Sequence, residues 1–473
     1  MVAQVAGRRT KLIWSFECER LDDSLPAILA AEDYDALRIV YEPGSMPKLL
    51  RFLSLIEQRT MPNQRKSLMI DISTRIRASI SNLKQPLELE FGKHITISPS
   101  DGGGDIEIKT EEWKTLFAVD KTVYIGYGNA ALKPRKISAN KIEAEVVQGG
   151  IAYPDMDLHI PATQAPSGIK EMPRADLDEL LKHEIDFLVI PASESPQEIV
   201  EFRAELEKKC KTPPWMILKV STEQICQHLE VLLPVVDGVM ISRLEMALSM
   251  DPALIPIRTK ELLQTCADQS KIAFTASEML GSMRHNATPT RAEVSDIANA
   301  VIDGTDAVVL SEEVAFGPHF RRALVLMGQI VADIEAQHNA APNWVRLSPK
   351  IENEMDAIAF SAYKTAERIQ TKAIVCITVG GNTAVRLATF RPPIPIIAVT
   401  FDPVILRRLQ LVRGVTGLAL DSDPNIDQVL PMVNDRLVRG SFLKAGDKII
   451  FVSITLSSLS RESSNLLTVQ TLT

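Results

Sequence analysis

Apolar positions along the chain fall in short continuous runs, separated by longer stretches in which apolar residues recur with helical spacing. Runs at 12–16, 36–41 and 68–72 read as strands, and the segments 25–31 and 47–57 between them read as helices. After Arg77 the rhythm changes to short alternating pieces broken by turn residues, including consecutive glycines at 102–104. The pieces at 119–126 and 141–147 read as strands of a small β-rich insertion that ends near Pro161. Strand–helix alternation then resumes. Strands are predicted at 187–190, 215–220, 238–242, 272–275 and 307–310, and helices at 197–209, 223–233, 256–267, 291–303 and 320–338.

Roughly eight strand–helix steps, interrupted once by a β module, predict an α/β protein built on a (β/α)8 TIM barrel. The aperiodic, proline-bearing segment 341–350 reads as a linker. A further α/β unit follows: helix 355–371, strand 373–378, helix 382–389, strand 394–400, a helical stretch 426–444, and strands 448–453 and 466–472. The expected division is 1–77 for the first part of the barrel and 78–162 for an inserted β domain. The second part of the barrel takes 163–340, and a C-terminal α/β domain takes 341–473.

Composition narrows the class little further. With 473 residues, 45% hydrophobic, 24% charged and 5% aromatic, the chain suits a soluble protein of several domains. A net charge of −8 argues against nucleic-acid or anionic-membrane partners, which call for a basic face. Cys18, Cys210, Cys226, Cys266 and Cys376 are scattered, with no C-x-x-C and no short Cys/His spacing. That pattern gives no zinc site and suits a reducing, cytoplasmic setting. No run reaches the roughly 18 apolar residues of a membrane helix, and residues 1–11 carry no apolar signal core.

The most specific stretch is 289–317, P-T-R-A-E-V-S-D-I-A-N-A-V-I-D-G-T-D-A-V-V-L-S-E-E-V-A-F-G. It resembles the signature of the pyruvate kinase family in nearly unbroken form. The resemblance extends over essentially the whole chain. It is strongest from Lys271 to Gly317, clear at 237–243, 374–391 and 446–452, and weakest in the insertion and the first strands. It implies phosphoryl transfer from phosphoenolpyruvate to ADP, assisted by a divalent metal and a monovalent cation. Catalysis of that kind is positioning and charge neutralisation, so missing charges are costly.

By resemblance, Lys219 falls where the family has its phosphoryl-binding lysine, and Arg38 matches the arginine of R-x-N-x-S-H-G. Asp71 and Arg77 match the aspartate and arginine of D-T-K-G-P-E-I-R, with one residue deleted between them. Ser242 and Arg243 stand in the segment that becomes A-R-G-D-L-G, and Glu245 takes its metal-binding aspartate position. Ser277 replaces the threonine of T-A-T-Q-M-L. The resemblance thus implies Lys219, Arg38 and Ser277 as catalytic residues, Arg77, Arg243 and Ser242 as phosphate-binding residues, and Glu245 and Asp71 as metal ligands.

Several matched positions carry the wrong chemistry. K-I-E-N reads Lys219-Val220-Ser221-Thr222, so one metal carboxylate has become a neutral hydroxyl, a poor ligand for magnesium. The glycine that lets backbone amides approach a substrate carboxylate is Leu244. Val40, Glu42 and Pro43 replace the Asn, Ser and His of the second strand, removing two oxygen ligands of the monovalent cation. The hinge K-G-P is Ser73-Thr74-Arg75, and the acidic pair expected near the nucleotide reads Gly126-Tyr127-Gly128. Magnesium is accordingly expected to be weakly held or absent, and the potassium site to be compromised.

Two features bear on regulation. The turn Thr378-Val379-Gly380-Gly381-Asn382-Thr383-Ala384 follows a strand and opens a helix, the form of an anion cradle built from amides and hydroxyls. In the family this turn takes the phosphate of a sugar-phosphate effector where one is used. The serine-rich segment 456–465 lacks the glycines expected there, and Arg461 stands within it. The resemblance also implies a homo-tetramer, with 290–296 at one contact, or a hetero-oligomer with an active paralogue.

Each assignment has a structural counterpart. Lys219 either keeps phosphate affinity or is a mouth lysine paired with Glu245. Arg38, Asp71 and Arg77 either bind ligand or form a charged cluster at the barrel top, and the 378–384 turn is either a cradle or an ordinary strand-to-helix turn. Two functions follow. One is an active, divergent pyruvate kinase in which Glu245, Glu42 and Glu278 take over cation work. The other is a catalytically weak or inactive homologue with a structural or regulatory role. A single lost electrostatic contact costs about 10²–10³ in rate, and here metal, potassium and nucleotide sites are all altered, which favours the second. A different enzyme on the same barrel is a third class, and no residue pattern supports it.

Overall fold

The computed structural model describes residues 8–42, 44–59, 65–72, 78–109, 117–126, 128–154, 156–159, 169, 172–191, 193, 195–276, 279–310, 314–315, 317–340, 347–420, 426–453 and 466–473. Strands β1 (Lys11–Glu17), β2 (Ala36–Val40) and β3 (Ser67–Asp71) open the chain. An insertion follows, with β4 (Ala78–Ile80), β5 (Leu87–Leu89), β6 (His94–Pro99), β7 (Ile106–Lys109), β8 (Val123–Ile125), β9 (Ala130–Ile137), β10 (Ile142–Gln148), β11 (Gly150–Ala152) and β12 (Asp157–His159). Then come β13 (Phe187–Ile190), β14 (Trp215–Val220), β15 (Gly238–Ser242), β16 (Ile272–Ala276) and β17 (Ala307–Leu310). Strands β1–β3 and β13–β17 close in the order β1-β17-β16-β15-β14-β13-β3-β2, all neighbours parallel. This is the expected (β/α)8 barrel, and the insertion leaves after its third strand.

The barrel strands are buried along nearly their whole length, as parallel strands between a helical layer and a filled interior must be. Within them the period of two decides which core each side chain joins. Leu12, Trp14 and Phe16 pack in the layer between strands and helices, whereas Ile13 packs inside the barrel. Ala36, Met69, Ile217 and Met240 also fill the interior, while Leu37, Ile39, Leu68, Ile70, Leu218 and Ile241 face the helices. Phe187 and Phe274 meet edge to face across the interior, with ring centroids 6.3 Å apart. Two residues further along the inward rows stand Ser15, Arg38, Asp71, Lys219 and Ser242. The interior is therefore apolar at its floor and turns polar and charged at the C-terminal ends of the strands.

The insertion forms its own small closed barrel, β10-β6-β7-β4-β12-β8-β9, with β5 and β11 as a separate pair. Its strand β8 starts at Val123 rather than at the predicted position 119. Asp120 has φ 61° in a turn, and a left-handed residue ends extended pairing.

The C-terminal domain carries β18 (Ala373–Ile377), β19 (Ile396–Thr400), β20 (Val415–Ala419), β21 (Lys448–Ser453) and β22 (Leu466–Thr471), in the order β20-β19-β18-β21-β22. It closes the floor of the barrel. Arg407 Nε donates to Asp186 Oδ1 at 2.9 Å, just before β13, and Arg391 Nη1 donates to Asp306 Oδ1 at 2.6 Å, just before β17. The interior core runs on through this contact into Tyr363, Val385 and Leu409. With the floor covered, the opposite end is left for a ligand. Among the described residues no helix is long and apolar enough to cross a membrane.

Candidate functional site

The mouth of the barrel carries side chains from five stretches: β1, β2, β3, β14 and the turn after β15. On β2, Arg38 is 2% exposed and reaches across to β3, where Asp71 is fully buried. Arg38 Nε donates to Asp71 Oδ2 at 3.0 Å, Nη2 donates to the same oxygen, and Nη1 donates to Ser15 Oγ on β1 at 2.7 Å. Parallel register makes this reach short, because Ser15 lies beside Arg38 and Val40 lies beside Asp71.

On β14, Lys219 is 4% exposed at the side chain, and its Nζ lies 2.8 Å from Glu245 Oε1. Glu245 comes from the single helical turn Arg243–Ala247 that follows β15, the next strand round the barrel. That turn carries Glu245 back over β14. Arg243, at the start of the same turn, donates through Nη1 to Asp296 Oδ1 on the helix Arg291–Ile302, and through Nε to the carbonyl of Ala276 at 3.4 Å. Ser242 is buried at the end of β15. Ser221 is buried beyond Lys219, and Thr222 caps the next helix, its Oγ1 accepting from Ile225 N at 3.3 Å.

Each of these three cations thus meets a carboxylate of its own chain: Arg38 with Asp71, Lys219 with Glu245, and Arg243 with Asp296. A divalent ion needs hard, charged oxygens converging on one point. Glu245 and Asp71 instead face cations, and Ser221 offers a neutral hydroxyl, so among the described residues the donor set does not fit magnesium. For potassium, Val40 supplies no side-chain oxygen, and Asp71 is engaged by Arg38. Arg77, Ser277 and Glu278 lie outside the described residues, as do Ser73, Thr74, Arg75, Tyr127 and Arg461.

The sequence reading did not single out Ser15 or Asp296. Ser15 is a hydroxyl inside the buried run KLIWSFE, and its inward parity is the signal that points to it. Asp296 lies within the 289–317 signature, but only the three-dimensional packing shows that it meets Arg243.

In the C-terminal domain the turn after β18 holds Thr378, Gly380, Gly381, Asn382 and Thr383 as predicted, opening the helix Asn382–Thr389. Gly381 has φ +92°, and its N–H donates to Thr378 Oγ1 at 2.9 Å. A Cβ at Gly381 would lie 2.9 Å from the Trp215 ring, so the turn packs on the barrel floor. A separate polar cavity of about 400 Å³ lies between the barrel helices and this domain, lined by residues including Glu230, Asp268, Lys350, Asp356 and Arg386. None of the predicted site residues lines it.

Comparison with known proteins agrees with the architecture. The sequence model of the pyruvate kinase barrel domain matches residues 10–324, and that of the pyruvate kinase alpha/beta domain matches residues 356–470. The pyruvate kinase of Geobacillus stearothermophilus is 31% identical over 78% of this chain and 64% of its own length. That of Clostridium perfringens is 27% identical over 94% of this chain and 95% of its own. A crystal structure of a pyruvate kinase from Cryptosporidium parvum superposes with a TM-score of 0.77 at 23% identity, covering 100% of this chain and 98% of that one, a likeness of fold. With the barrel, the insertion after β3 and the C-terminal sheet in place, the chain belongs to the pyruvate kinase family.

Proposed function

We propose that this chain is a catalytically weak or inactive pyruvate kinase homologue with a structural or regulatory role. The observation that carries the reading is the Lys219–Glu245 pair. The residue that resemblance assigns to the metal holds the lysine that resemblance assigns to the transferring phosphate. With Ser221 in place of the second carboxylate, metal affinity falls, and with it the charge neutralisation on which phosphoryl transfer depends. Arg38, Asp71, Arg243 and Ser242 then serve to hold the mouth together. Arg77 and Ser277 retain the phosphate-binding and catalytic positions by resemblance.

A homologue of this kind acts through its surfaces. It assembles as a homo-tetramer or as a hetero-oligomer with an active paralogue, in the cytoplasm, and takes a sugar-phosphate at the turn formed by Thr378, Gly380, Gly381, Asn382 and Thr383. The second reading is an active, divergent enzyme converting phosphoenolpyruvate and ADP through Lys219 and Glu245 with compensating carboxylates. The buried position of Lys219 at a strand end favours it.

The metal part of the proposal is tested by titrating the protein with Mn2+ and following the free-ion electron paramagnetic resonance signal, with and without phosphoenolpyruvate. The proposal expects the signal to stay that of free ion at millimolar protein. Stoichiometric loss of signal that disappears in Glu245→Gln would give the site back to the metal and support the second reading.

A further inference from the structure

We infer that Glu245 is the residue that sets which anions the barrel mouth accepts, by standing in for a phosphate on Lys219. The inference rests on the reading of the mouth as an inactive site.

Lys219 is buried, and its ammonium needs a counter-charge, because an isolated buried cation is costly. Glu245 supplies one at 2.8 Å from a side chain that is 19% exposed, so the carboxylate stands at the rim between the lysine and solvent. Lys219 occupies an inward row, above Ile217 in the barrel interior, so an anion entering from the mouth reaches its ammonium at the rim that Glu245 occupies.

The neighbouring cations do not offer an alternative anchor. Arg38 directs Nε and Nη2 to Asp71 and Nη1 to Ser15. Both oxygenated partners are buried, and Asp71 is on a strand, which leaves it little freedom to swing away. Arg243 is tied to Asp296 and to the Ala276 carbonyl. Glu245 differs from Asp71 in exposure, and from both carboxylates in the element that carries it. It is more exposed than Asp71, and it sits on a short turn rather than on a strand or a three-turn helix.

An incoming phosphate must therefore displace Glu245 from Lys219 and then tolerate its charge close by. A monoanionic carboxylate would meet less repulsion than a multiply charged phosphate ester. In this way one side chain lowers affinity for phosphates in general and biases the mouth toward weakly charged ligands.

The test is titration with inorganic phosphate, without divalent metal, of wild type, Glu245→Gln, Glu245→Met and the double variant Glu245→Gln, Lys219→Met, with thermal melts to show folding. Removing the competing charge is expected to tighten phosphate at least about tenfold in both single variants, the scale of one charge-assisted hydrogen bond. The double variant is expected to lose that gain. Equal affinity in wild type and the folded single variants overturns the inference, as does a gain that survives in the double variant. A parallel assay for pyruvate formation by the wild type separates the two levels. Turnover there removes the underlying reading, whereas unchanged phosphate affinity without turnover removes the inference alone.

Discussion

Arg38 and Asp71 form a buried pair across β2 and β3, 2% and 0% exposed at the side chain, with Ser15 completing the arginine's contacts from β1. Three of the eight barrel strands are tied together at their C-terminal ends by this one cluster. Asp71→Ala leaves the guanidinium buried without its counter-charge and is expected to cost about 3–5 kcal/mol in urea unfolding. The double variant Arg38→Met, Asp71→Leu removes both charges and is expected to recover most of that loss. A double variant no more stable than Asp71→Ala would show that the cluster holds the strands by more than charge compensation.

At the barrel floor the pair Arg407–Asp186 joins the domains. Burial raises the pKa of Asp186 above its ordinary 3.8, and the charge of Arg407 works against that rise. Over the window between the ordinary and the raised value, the folded chain holds a proton that the unfolded chain has released. Stability therefore falls as pH rises through that window. Arg407→Ala removes the opposing charge and widens the window. The variant is expected to lose about 3–5 kcal/mol at pH 7 and less near pH 4. A deficit independent of pH between those values would contradict this.

The helix that carries Asp296 begins with a capping box. Thr290 Oγ1 accepts from Glu293 N at 3.2 Å, and Glu293 Oε2 accepts from Thr290 N at 2.7 Å. Burial alone would raise the Glu293 carboxyl, but hydrogen bonds from Ser282 and Thr290 outweigh it and hold the group below its ordinary 4.5. Its contribution is present above that value and is lost as pH falls through the depressed one. Thr290→Ala is expected to cost about 0.5–2 kcal/mol at pH 7. Glu293→Gln should flatten the acid side of the stability curve, read from melting temperatures between pH 3 and 6.

Gly380 and Gly381 are neighbours with different demands. Nothing lies within 4 Å of a Cβ at Gly380, whereas Gly381 combines φ +92° with the Trp215 ring. Gly380→Ala is expected to stay within about 0.5 kcal/mol of wild type, and Gly381→Ala to lose more than about 1 kcal/mol. Equal effects would mean that the turn does not lean on the barrel floor.

The barrel was legible because its strands are continuous apolar runs at strand length, with helical spacing between them. The turn at Asp120, which shortens β8, left no such mark, since its left-handed backbone shows only in the fold. Strand β20, V-T-G-L-A, escaped for a related reason: Gly417 interrupts its apolar pattern. The helix before it, Pro403–Arg408, carried a readable start, with Asp402 capping and proline first, but is too short to show a period.

At the site, the family resemblance pointed to Lys219, Arg38, Asp71 and Glu245, and the pairing of Lys219 with Glu245 was one of the two arrangements left open. The Arg243–Asp296 contact joins residues 53 positions apart on adjacent elements, which no local pattern encodes.

The most direct measurement is pyruvate formation from phosphoenolpyruvate and ADP by the purified, folded chain, with magnesium or manganese and with or without potassium, beside Lys219→Met. The account predicts turnover far below the usual enzyme range of about 1 s⁻¹ and upward, with no difference between the two proteins. Turnover above about 1 s⁻¹ that collapses in Lys219→Met would contradict it and make Lys219 a working catalytic residue.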